Sequence, residues 1–203
     1  MEPDEYLEPK NSKVEFNLKE ITPIIALFSL FLAVLIFVFI KLELITMEHY
    51  FSFENPSKLV LSTIITSIGL IIVGIVLTLI MPAKFIDETN KTFQHESLWT
   101  IMISMLVVVL FEELLFRGIV QNFIFLILKN EWYAIIATAV FFVIYHKRYF
   151  KKPLMLLNIT LPGLVLCWIY FYHDNIIVPF IIHYTMNIAL TLMFKYNLIR
   201  LRN

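Results

Sequence analysis

Charge is scarce in this chain. Only 16% of its 203 residues are Asp, Glu, Lys or Arg, against about 25% in soluble domains. Hydrophobic residues make up 60%, and mean hydropathy is +0.81. A soluble globular fold is excluded, and the composition is that of an all-α, polytopic membrane helix bundle. Acids and bases balance at 16 each, so net charge is zero and no basic footprint for nucleic acid exists. Cysteine occurs once, as Cys167 in an apolar run, which rules out an intrachain disulfide framework and reads as a buried, inert thiol. Only four glycines accompany many Phe, Ile and Lys, a bias expected of an AT-rich bacterial genome. The first twenty residues hold six acids and three lysines rather than a basic n-region, and the apolar run behind them is too long for a signal peptide. Residues 1–20 are therefore expected to form a cytosolic tail.

What is present is a series of apolar runs long enough to span a bilayer, which needs about 20 residues. Runs at 21–40, 59–83, 98–128, 132–149, 153–172 and 176–196 predict about six transmembrane helices in one domain, 21–203. Pro162-Gly163 predicts a kink or break inside the fifth. The segments at 49–56 and 84–96 read as loops or interfacial pieces, with His49, His95 and His173 as loop residues. Twelve of the Lys and Arg residues fall on the side of the N-terminus, and only Lys41, Lys58 and Lys129 on the other. By the positive-inside rule, both termini face the cytosol.

Against that scarcity, residues 106–125 read LVVVLFEELLFRGIVQNFIF, with Glu112, Glu113 and Arg117 inside an apolar span. An intramembrane charge costs about 2.5–3.5 kcal/mol on insertion scales, so such groups face protein or water and mark function. Glu113 and Arg117, four apart, share a helical face and predict an ion pair. Glu112 is turned about 100° away and left for chemistry. His146 ends the fourth span, four residues after Phe142. His183 and Asn187 share one face of the sixth. A carboxylate and an imidazole suit the activation of a hydrolytic water, and a second imidazole with a side-chain amide suits an oxyanion.

Three motifs carry a resemblance: E-E-L-L-F-R-G (112–118), F-V-I-Y-H (142–146) and H-Y-T-M-N (183–187). In order and spacing, over roughly 106–192, they resemble the CAAX-processing and bacteriocin-immunity (CPBP, or Abi) intramembrane proteases. The resemblance implies Glu112 and His146 as activators of water, and His183 with Asn187 as the oxyanion pair. It also implies Glu113, Arg117 and Phe142 as structural support. The implied partner is a peptide or protein substrate in or near the bilayer of a bacterial plasma membrane. A non-catalytic immunity or scaffold protein of the same fold is the rival reading. One Glu and two His (Glu112, His146, His183) form a donor set that zinc would accept. H-E-x-x-H, the specific single-helix zinc signal, is absent. A metal-free, glutamate-activated water is the preferred reading, with zinc as the alternative cofactor.

Overall fold

The computed structural model describes residues 17–82, 93 and 96–199. Most of the expected cytosolic tail, most of the 84–96 segment including His95, and the basic end at 200–203 lie outside the described residues.

Helix α1 covers Leu18–Lys41, α2 Met47–Phe51 and α3 Pro56–Ile80. Helix α4, Leu98–Glu113, continues without interruption into a π-helical segment, Leu114–Gln121, and then α5, Asn122–Leu128. Helices α6 (Glu131–Tyr145), α7 (Pro153–His173) and α8 (Ile177–Lys195) follow. Starts are set locally. Asn17, Asn55, Ser97 and Asn130 each cap a helix by accepting from the backbone N–H of Lys19, Lys58, Thr100 and Tyr133 respectively. Among the described residues no β-strand forms, only a single bridge between Phe51 and Asn175.

Among the described residues, five helical runs are long and apolar enough to cross a membrane: α1, α3, Leu98–Leu128, α7 and α8. The chain is a multi-pass membrane protein. The expected fourth span is shorter than 132–149. Helix α6 has 15 residues, which rise about 22 Å, less than the roughly 30 Å of a hydrocarbon core. The helix stops at Tyr145 because His146 leaves helical geometry (φ −92°, ψ 31°) and the charged Lys147–Tyr149 turn follows. His146 is thus a cap residue on a turn, not part of a helix.

A second correction concerns Pro162. Helix α7 runs through it without a break. Gly163 explains the tight seat here: a Cβ on it would lie 3.1 Å from the Phe142 ring, so α7 is pressed against α6. Proline is tolerated in such packed membrane helices because neighbours satisfy the freed backbone groups.

Helix α4 packs between α1 and α8, α8 lies against α3 and α7, and α6 lies against α7. Outward faces are apolar and exposed, as at Leu27 (68%) and Leu61 (60%), which suits contact with lipid. Lipid gives no hydrophobic drive between helices, so close approach matters. Gly118 meets the Ile36 side chain of α1, and Gly74 meets Leu190 of α8.

Candidate active site

The π segment begins one residue after the paired acids. A π turn is wider than an α turn and is common at functional sites. Asn122 braces two carbonyls of this segment. Its amide nitrogen donates to the Arg117 carbonyl at 3.1 Å and to the Gly118 carbonyl at 3.0 Å. Tyr50 adds its hydroxyl to the Gly118 carbonyl at 2.9 Å.

Arg117 projects from this wide turn and is fully buried. Its Nη1 donates to Glu113 Oε1 at 2.9 Å, the pair expected from the four-residue spacing. Its Nη2 donates to the Gly163 carbonyl at 3.2 Å, and its guanidinium lies 5.2 Å from the centre of the Phe142 ring. Phe142 is itself buried and meets Phe116 edge-on at 4.9 Å. Glu113 Oε1 accepts a second bond, from His183 Nδ1 at 2.6 Å. Glu113 therefore supports two elements at once, its own helix and α8.

Three expected residues converge. The two oxygens of Glu112 face two imidazoles: Oε1 lies 3.9 Å from His146 Nε2 and Oε2 lies 3.7 Å from His183 Nε2. Both rings are oriented from behind. His146 Nδ1 donates to the Phe142 carbonyl at 2.8 Å, and His183 Nδ1 donates to Glu113. A carbonyl can only accept, so Nδ1 of His146 carries hydrogen and its Nε2 faces Glu112. Glu112 and His183 are buried, and His146 is half-buried.

Asn187 stands apart from this contact. One turn along α8 from His183, it lines the same cavity and has no hydrogen-bond partner among the described residues. That cavity, about 320 Å³, runs from Glu112, His146, His183 and Asn187 towards the end of the bundle holding the start of α1 and the end of α8. Polar side chains of Thr22, Ser104, Asn158 and Thr191 line it farther out. Although the donor types suit zinc, among the described residues no three acidic, histidine or cysteine side chains are arranged to hold a metal ion.

Residues 94–189 match the family model described as type II CAAX prenyl endopeptidase, Rce1-like. The chain is similar to that family over this segment. The matched segment contains all three motifs and every residue of the converging set. No curated protein and no solved structure matched the chain.

Several contributors to the site and its support escaped the sequence. The second partner of Glu113, the Gly163 carbonyl under Arg117 and the π turn have no signature in residue spacing. His49, read as a loop residue, sits on α2 and bonds to Asn122. Tyr170, which no motif marks, is fully buried and accepts from Asn122 at 2.8 Å.

Proposed function

We propose that the protein is an intramembrane endopeptidase that hydrolyses a peptide bond with a water activated by Glu112 and His146. The observation that carries this reading is the approach of both Glu112 oxygens to two imidazole Nε2 atoms, at 3.9 and 3.7 Å. These separations exceed a direct hydrogen bond and suit a water seated among the three side chains. Such a water donates to Glu112 and His146 and keeps a lone pair for attack. Glu112 takes its proton as general base and delivers it to the leaving amine. The carbonyl oxygen gains charge as the tetrahedral adduct forms. Asn187, with its amide uncommitted, and His183 then serve as donors to that oxygen. His183 spends Nδ1 on Glu113, so it donates through Nε2 only when doubly protonated.

Asn187→Ala should lower turnover by about 10²–10³-fold while leaving the bundle folded. A chelator should leave turnover unchanged. Zinc-restored activity after chelation would replace this mechanism with a metal-dependent one.

The substrate proposed is a membrane-associated peptide or protein bearing an isoprenylated C-terminal segment, in line with the family description. A cavity of about 320 Å³ with polar side chains along an apolar wall supports a short stretch of peptide at the site. The protein is proposed to lie in a bacterial plasma membrane with both termini, and the mouth of the cavity, in the cytosol. Reporters fused after Lys152 and after Arg202 should then read cytosolic, and one at Asp174 external. A cytosolic Asp174 would invert the orientation and place the cavity mouth outside.

A further inference from the structure

At the end of the bundle opposite the cavity mouth, a second group of polar side chains is packed beneath α2. His49 Nδ1 lies 2.6 Å from Asp174 Oδ1, in the turn between α7 and α8. Its other nitrogen, Nε2, lies 3.0 Å from Asn122 Oδ1. The orientation of Asn122 is decided by its neighbours. Its nitrogen faces the carbonyls of Arg117 and Gly118, which only accept, so its oxygen must face His49. Asp174 is half exposed and accepts as a carboxylate. His49 therefore meets two acceptors, one on each ring nitrogen. A neutral imidazole carries one N–H and satisfies only one of them; the imidazolium satisfies both.

We infer that His49 is a positioning residue that acts as an imidazolium, clamping Asn122 against the π segment so that Arg117 is delivered in register to Glu113 and His183. The chain of contacts is continuous. Asp174 holds His49, His49 holds the Asn122 oxygen, and the Asn122 nitrogen holds the carbonyls of Arg117 and Gly118. Arg117 then reaches Glu113, which orients His183. The inference rests on the reading of Glu113, Arg117 and His183 as support for a catalytic centre.

Aromatic rings enclose much of the His49 imidazole. On α7, Tyr170 and Phe171 meet its ring; on α5, Phe125 stacks on it at 6.2 Å. Tyr50 neighbours it on α2, and burial, opposed by a hydrogen bond with Asn122, pushes that phenol up to about 12, beyond the titration of an imidazole. Asp174 faces it from the turn, and His173, the last residue of α7, precedes Asp174 in the chain. Both bonds of His49 exist while the ring is charged, and one is lost as the pH rises and the ring gives up a proton.

The test is nitrogen-15 NMR of the full chain, histidine-labelled, in lipid nanodiscs across roughly pH 5 to 9. The His49 resonances are assigned by their loss in His49→Gln. Amide exchange over residues 117–122, corrected for its intrinsic base catalysis, is followed alongside. Both ring nitrogens should carry protons at the acid end. Loss of one proton should coincide with at least about tenfold faster exchange in 117–122. Turnover by His49→Gln should fall by about tenfold in kcat with KM unchanged, within the roughly 10²-fold that a misplacement of about 1 Å can cost. A singly protonated His49 throughout, a deprotonation that leaves exchange in 117–122 unmoved, or a wild-type kcat in His49→Gln would each overturn the inference. Should ring and exchange titrate together in a protein that cleaves no peptide, the clamp stands and the peptidase reading fails. With a singly protonated His49 in an active peptidase, the clamp fails and the peptidase reading stands.

Discussion

Replacement of Glu112 by Gln is expected to leave the helices assembled and to remove turnover. Gln has the same shape and no charge, so the buried site loses a desolvation cost rather than a packing contact. Thermal stability and membrane accumulation should be equal to wild type or slightly higher. Chemistry fares differently, since an amide cannot accept the proton of the attacking water. The drop in kcat should reach at least the roughly 10²–10⁴-fold that a general base contributes. His146→Ala alone should give a comparable loss, and combining the two should cost little more, because groups that act as one unit are strongly non-additive. Full additivity in that pair would separate His146 from the activation of water.

The second large effect is structural. Arg117 is fully buried, with its guanidinium on Glu113, the Gly163 carbonyl and the Phe142 ring. Arg117→Ala leaves Glu113, itself 1% exposed, as a buried carboxylate with His183 as its remaining partner. Breaking one side of such a pair costs about 3–5 kcal/mol. The variant should melt far below wild type in detergent, or fail to accumulate. Glu113→Gln in the same chain should restore much of that stability by removing the stranded charge, while its amide oxygen can still accept from His183 Nδ1. A double-mutant cycle reads the coupling directly, and additive effects would show that the two side chains do not act as a pair.

The parts of the site legible in the sequence are those set by helical periodicity. Spacing of four places Arg117 on Glu113, and the same spacing puts His183 and Asn187 on one face of α8. Intramembrane polarity marks all of them, because an apolar span gives a charge nowhere to hide. What periodicity does not encode is hydrogen-bond register. Leu114–Gln121 forms a π segment rather than an α-helix, and nothing in L-L-F-R-G-I-V-Q distinguishes the two, since both suit the same apolar run. Asn122 supports that segment only because Tyr50 and Tyr170 arrive from distant parts of the chain. His49 is invisible in the sequence for the same reason: its contact with Asn122 spans 73 residues, and α2 is a five-residue helix without a periodic signal. The apolar run overstates the extent of α6, because it continues to the charged turn whereas the helix ends at Tyr145. Pro162 reads as a breaker in any single sequence, yet packing against Phe142 through Gly163 keeps α7 continuous.

The most direct test is a mass-spectrometric assay of the purified full chain in lipid vesicles, in oxygen-18 water. A pool of peptides with isoprenylated and unmodified C-termini serves as substrate. Activation of water by Glu112 predicts shortened products that carry one heavy oxygen in the newly formed carboxylate, and none above background with Glu112→Gln. Intact peptides throughout the pool with a folded wild-type protein, or equal cleavage by Glu112→Gln, would contradict it.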